Sequence, residues 1–165
     1  MADDKAINEL AQALVDELAA GPKVIATAES STGGWIAKAL TDIPGSSDVF
    51  HYGIVSYSNG AKESLLGVQL ATLEEHGAVS EAVVIEMAKG ALQLSGANIA
   101  VAVSGVAGPG GGSEEKPVGM VWFAWAVREG SKIASTTSCM NFDGDRELIR
   151  ELTVAHALQG ALERL

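Results

Sequence analysis

Three hydroxyls, Ser30, Ser31 and Thr32, follow Glu29 and precede Gly33-Gly34 in the stretch 24–36, VIATAESSTGGWI. An apolar run that breaks into small polar residues and then paired glycines is the pattern of a strand passing through a hinge into a helix. At such a junction a hydroxyl can be a nucleophile, and the free N–H groups of the first helical turn can receive an anion or a developing oxyanion. The same residues also suit an ordinary tight turn with Thr32 as the helix cap. A serine nucleophile needs a base. His51, His76 and His156 are isolated, and with Cys139 as the lone cysteine no His-x-x-x-His or Cys-x-x-Cys spacing exists. No protein-built metal site is expected, and each histidine reads as structural or exposed. Lysine becomes a base when burial or a neighbouring cation lowers its pKa from about 10.4. That requirement leads to the segment 57–62, YSNGAK, which ends in Lys62.

A second candidate edge is 104–113, SGVAGPGGGS, with five glycines in ten residues. Missing Cβ atoms let a ligand approach the backbone closely. The stretch is neither a P-loop nor a dinucleotide fingerprint, because no Gly-Lys-Ser/Thr opens a helix and Glu114-Glu115-Lys116-Pro117 leads into another strand. Glu114-Glu115 reads as a solvated loop rather than a metal site. Arg146 opens the final helix beside Asp143 and Asp145. Its guanidinium can hold a substrate phosphate, lower the pKa of a nearby lysine, or pair with one of those aspartates.

The elements that must place these residues alternate between helical and strand-like periods, which implies an α/β layer fold. Ile7, Leu10, Ala11, Leu14, Val15 and Leu18 predict a helix over the first twenty residues, ending near Gly21-Pro22. Val24–Thr27 reads as a buried strand, Gly33–Ile43 as a helix, and Val49–Tyr57 as a second strand. Short helices are expected over Ala61–Leu66 and Ala71–His76, and a longer one from Ser80 with Val84, Met87, Ala88, Ala91 and Leu92 buried. Ile99–Val103 is a third strand, and Val118–Val127 and Ile133–Phe142 form a hairpin turning near Glu129-Gly130. Trp122, Phe123 and Trp125 then pack a strand or an oligomer surface. The last helix should bury Leu148, Leu152, Ala155, Leu158, Leu162 and Leu165. The whole, residues 1–165, is expected to be a single-domain three-layer α/β/α sandwich with a mixed sheet.

With 165 residues, 47% hydrophobic, the chain can bury one substantial core. A net charge of −10 with 11 Lys and Arg opposes nonspecific nucleic-acid binding. No window reaches the roughly 20 apolar residues of a membrane span. The lone cysteine and an acidic amphipathic start where a signal peptide would be basic and apolar point to the cytoplasm.

Taken together, ATAESSTGG (26–34), IPGSS (43–47), YSNGAK (57–62), HGAVSE (76–81) and SGVAGPGGGSEEKPVG (104–119) resemble the CinA C-terminal domain family, whose enzymes deamidate nicotinamide mononucleotide. The resemblance spans essentially the whole chain and implies the stand-alone form of the domain. It places the nucleophile at Ser30 and the base at Lys62, with Tyr57 assisting. Ser31 stands where relatives often carry Cys, and Gly60 where they often carry an acidic residue. The reaction it implies needs no metal or cofactor, with backbone N–H groups of either Ser31–Gly34 or Gly105–Gly108 as the oxyanion donors. The substrate-binding set is expected to comprise Glu29, Thr32, Gly33, Ser47, Ser104, Gly105, Gly108 and Arg146. Nicotinamide mononucleotide is the expected partner, and the chain is expected to be a homo-oligomer, a dimer. A non-catalytic pyridine-nucleotide-binding or interaction module is the alternative, since binding requires only the glycine-rich loops and a cation.

Overall fold

Ile7, Ala11, Leu14, Val15 and Leu18 recur every three to four residues and are all buried, so residues 4–20 wind into an amphipathic helix, α1 (Asp4–Ala20). The computed structural model describes residues 4–165. After α1 come β1 (Ile25–Glu29), α2 (Trp35–Thr41), a 3-10 turn at Ser46–Asp48, β2 (Phe50–Val55), α3 (Asn59–Leu66), α4 (Leu70–His76) and α5 (Glu81–Ser95). The chain finishes with β3 (Ile99–Gly105), β4 (Met120–Glu129), β5 (Lys132–Asn141) and α6 (Arg146–Glu163). The sheet order is β2-β1-β3-β4-β5. Its β2-β1-β3 half is parallel, and β4 and β5 run antiparallel, so the sheet is mixed as expected. Among the described residues no helix is long and apolar enough to cross a membrane.

The two faces of the sheet are built from different residues. Ile25, Ile99, Val101, Val103, Val121, Phe123 and Trp125 pack with α1, α2 and α6 in one core. Ala26, Ala28, Ala100, Ala102, Ala124 and Ala126 face α5 in the other. Since alternate residues of a strand point to opposite faces, these alanines leave the centre of that face narrow and α5 lies against it, with Trp122 on the same face nearer the start of β4. Both cores together make the chain a single-domain three-layer α/β/α sandwich. The register pairs Ala26 with Ala100, Ala28 with Ala102 and Glu29 with Val103, so the next residues on the narrow face, Ser30 and Ser104, lie side by side.

Most expected elements form within a few residues of their predicted ends, and two differences are informative. β1 runs through Glu29 because it is paired on both sides, with β2 and with β3, which draws the glutamate into the interior. α6 is rotated from the leucine stripe: Ile149, Thr153, Val154, Ala157, Leu158, Gly160 and Ala161 are buried, whereas Leu148, Leu152, Ala155, Leu162 and Leu165 are only partly so. Small residues win the central face because the Trp125 ring needs the space. A Cβ at Gly160 would lie 2.1 Å from that ring, whose Nε1 donates to the Ala157 carbonyl at 3.1 Å.

Candidate active site

The parallel strands β2, β1 and β3 all deliver their carboxyl ends to one edge of the sheet, the edge at which ligands bind in open α/β folds. Ser30 follows β1, Ser56 and Tyr57 follow β2, and Ser104 is the next-to-last residue of β3. Ser58 then caps α3, its Oγ accepting from the Ala61 N–H at 3.0 Å, and the helix carries Lys62 back over the strand ends. Lys62 is 1% exposed. Its Nζ lies 2.9 Å from Ser30 Oγ, 2.9 Å from the Ser56 carbonyl oxygen and 3.0 Å from that of Tyr57. No carboxylate takes part. Two carbonyls can only accept, so in the neutral amine they take its two N–H bonds and the lone pair is left facing the Ser30 hydroxyl.

Burial alone pushes the Lys62 ammonium down from 10.5 to about 8. Arg146, the cation that the sequence offered for this, is not the cause. At pH 7 about a tenth of such lysines is neutral, roughly 300-fold more than at the ordinary value. A buried amine of this kind, in contact with a hydroxyl, can abstract its proton.

The turn that carries Ser30 is held from within. Glu29 Oε1 accepts from Thr32 Oγ1 at 2.6 Å and from the Ile36 N–H at 2.8 Å, while Oε2 accepts from the Ala37 N–H at 3.0 Å. Burial raises the Glu29 carboxyl, against the pull of these donors and of the Gly34 amide. The α2 N-terminus is thereby filled by the protein's own carboxylate, and Glu29 and Thr32, both fully buried, brace the turn instead of lining the cavity. Gly33 (φ +62°) and Gly34 (φ +105°) adopt left-handed backbone there. Gly33 lines a separate shallow hollow with Trp35 and Arg150, and Ser47 is exposed in the 3-10 turn. Arg150 is the residue that sequence reasoning missed. It donates to the Ser31 and Thr32 carbonyls, each at 3.1 Å. The available signal was its spacing four residues after Arg146, on the same side of α6.

Ser30, Ser31, Tyr57, Lys62, Ser104, Gly105, Gly108 and Arg146 share one cavity of about 270 Å³, which Ala78 and Val79 also line. Arg146 reaches across its rim: NH1 donates to the Gly108 carbonyl and NH2 to the Tyr57 hydroxyl at 3.3 Å. Asp145, one of its suggested partners, accepts the Leu148 N–H as the α6 cap, and neither it nor Asp143 lies within ion-pair distance of Arg146. A guanidinium bound only to neutral groups at a cavity rim is available for an anion. Larger hollows beside α1 and below His76 hold no paired nucleophile and base. Among the described residues no group of three or more His, Cys, Asp or Glu could hold a metal ion.

The family model described as CinA C-terminal domain matches residues 7–165. The chain belongs to the CinA C-terminal domain family. It is 51% identical over 156 residues to the nicotinamide-nucleotide amidohydrolase PncC of Escherichia coli (strain K12), covering 94% of this chain and 93% of that one. It is 50% identical over 157 residues to the protein of the same name from Pseudomonas putida, covering 95% and 96%. Among solved structures, a competence damage-inducible protein A from Klebsiella pneumoniae superposes with a TM-score of 0.91 at 42% identity over 96% of both chains. A competence/damage inducible protein from Agrobacterium tumefaciens gives 0.89 at 46%, also over 96% of both. These CinA relatives share the three-layer fold.

Proposed function

We propose that this chain is a cytoplasmic amidohydrolase that converts nicotinamide mononucleotide to nicotinic acid mononucleotide and ammonia in NAD salvage, with Ser30 as nucleophile and Lys62 as base. The single observation that carries the reading is the buried 2.9 Å contact between Lys62 Nζ and Ser30 Oγ at the floor of the cavity. The names of the relatives supply the substrate.

Neutral Lys62 takes the Ser30 proton as Oγ adds to the carboxamide carbon. The Lys62 ammonium returns that proton to the departing nitrogen, which leaves as ammonia, and a nicotinoyl ester remains on Ser30. Water, deprotonated by the same lysine, adds to the ester; cleavage restores Ser30 and releases the acid. With the α2 amides at Gly34, Ile36 and Ala37 engaged by Glu29, the oxyanion falls to the amides of Ser31 and Thr32 or to the 105–108 segment. Tyr57, its hydroxyl held by Arg146, assists proton transfer or closes the mouth. Arg146 holds the phosphate, and Ser104, Gly105 and Gly108 line the ring-binding side. A cavity near the lower limit of ligand pockets, which run from roughly 300 Å³ upward, suits a mononucleotide better than a dinucleotide.

The reading includes a homodimer, for which the outer edge of β2, with Tyr52 and Val55 exposed, is an available pairing edge; light scattering in solution measures it. The activity itself is tested by incubating the purified protein with nicotinamide mononucleotide and measuring ammonia. Stoichiometric release with formation of the acid supports the proposal, and binding without release returns the chain to a nucleotide-binding module.

A further inference from the structure

We infer that Arg150 is a positioning residue of this site: by gripping two consecutive carbonyls it locks the turn on which Ser30 sits. The inference rests on the amidohydrolase reading above. Arg150 projects from the second turn of α6, and its Nε and NH2 donate to the carbonyls of Ser31 and Thr32, each at 3.1 Å. A planar guanidinium presents such donors in a fixed fork, which an ammonium cannot imitate. Among the described residues no carboxylate lies within ion-pair distance of it, so its charge is directed at these two neutral carbonyls. Trp35 stacks on the guanidinium at 5.6 Å, and a Cβ at Gly33 would stand 3.5 Å from NH2, so the turn is packed directly against the cation.

Peptide geometry carries this grip to the nucleophile. In a trans peptide the C=O and N–H point in opposite directions. Fixing the Thr32 carbonyl toward α6 therefore turns the Gly33 N–H away from it, and that N–H donates to the Ser30 carbonyl at 3.1 Å. Fixing the Ser31 carbonyl likewise turns the Thr32 N–H away from α6. A cation on a carbonyl polarises the whole peptide and strengthens its N–H as a donor. The Ser31 hydroxyl makes no bond that would do the same work, since it is buried without a hydrogen-bond partner. Arg150 thus anchors the backbone of the nucleophile turn from the opposite face of the sheet.

The test compares Arg150→Met, Arg150→Ala and Arg150→Lys by steady-state ammonia release from nicotinamide mononucleotide. Misplacing a nucleophile by about an ångström costs on the order of 100-fold, so kcat should fall about 10- to 100-fold in Arg150→Met. KM should stay within about threefold, and the pH at which kcat/KM rises should not move. Added guanidinium ion should restore part of the lost kcat in Arg150→Ala, and Arg150→Lys should recover less than the natural residue. A raised KM with unchanged kcat would make Arg150 a substrate ligand and overturn the inference. So would wild-type kinetics in all three variants, or losses that track a lowered melting temperature and that guanidinium does not relieve. A natural protein that releases no ammonia overturns the amidohydrolase reading and this inference with it, whereas an active one indifferent to residue 150 overturns this inference alone.

Discussion

β1 and β3 end alike and are used differently. Residues 25–30 read I-A-T-A-E-S and residues 99–104 read I-A-V-A-V-S, the two strands are hydrogen-bonded in register, and both serines reach the same cavity from the narrow alanine face. Ser104 is even more buried than Ser30, at 2% exposed against 7%. What separates them is the neighbour on the far side. β1 lies beside β2, whose end leads through the Ser58 cap into α3 and brings Lys62 to Ser30, while β3 lies beside β4, which brings no base. The intervening residues differ in kind as well. Glu29 uses its carboxylate to tie down the start of α2, whereas Val103 only fills the core. A hydroxyl at a strand end becomes a candidate nucleophile through the chain that arrives next to it.

The two serines should differ most when each is replaced in turn. Ser30→Ala should lower kcat by at least about 10⁴-fold with the fold intact, because it removes the nucleophile of a unit whose members act together. Ser104→Ala should cost only about 10-fold or less, as loss of a binding contact. Ser31→Ala, which removes a hydroxyl without a partner, should cost least of the three. Ammonia release from the three variants side by side is the measurement, and a Ser104→Ala loss equal to that of Ser30→Ala would mean that the lysine does not distinguish the strands.

Removing the base is the next largest change. Lys62→Arg keeps the charge but cannot be deprotonated near neutrality, and its kcat should fall by about 10²–10⁴-fold. Lys62→Met should be equally inactive yet no less stable than the natural protein at pH 6. The folded state holds this lysine at about 8 against an ordinary 10.5, so the cost of burying its charge is fully present below pH 8. That cost amounts to about 3 kcal/mol, net of the three hydrogen bonds the ammonium makes. It fades as pH rises from 8 to 10.5, so any stability advantage of Lys62→Met should shrink across that interval in thermal melts.

Arg146→Ala should give the smaller, substrate-dependent effect. It should weaken kcat/KM for nicotinamide mononucleotide by about 10- to 100-fold and that for the riboside much less, because the riboside has no phosphate to lose. Equal losses on both substrates would place Arg146 at the reacting centre through Tyr57 instead.

The fold was legible in the sequence, and several residues singled out there meet in one cavity, for reasons that differ by residue. The helical periods of α1 and α5 are strong because each buries a regular stripe, while β1 and β3 read as short apolar runs because both of their faces are buried. Ser30, Tyr57 and Lys62 were legible through the family resemblance of the segments that hold them, and the structure brings them to one cavity. The roles suggested for Glu29, Thr32 and Ser47 were not separable in sequence from those of their neighbours. Whether a polar side chain at a strand-to-helix hinge faces a ligand or the backbone depends on where β1 stops, and β1 runs two residues past its predicted end. Beyond its spacing from Arg146 nothing in the sequence marks Arg150, because its partners are carbonyls 119 and 118 residues away, which leave no mark on residue type. The α6 stripe was misjudged by its leucines, since the centre of that face is set by the space Trp125 needs at Gly160.

Whether a buried, neutral Lys62 is the base for Ser30 is decided by the pH dependence of kcat/KM in the natural protein. A base acts when deprotonated, so kcat/KM for nicotinamide mononucleotide should rise with pH and level off with an apparent pKa of about 8, the value that burial gives this lysine. A profile that is flat between pH 6 and 9, or one that rises only near 10.5, would contradict it.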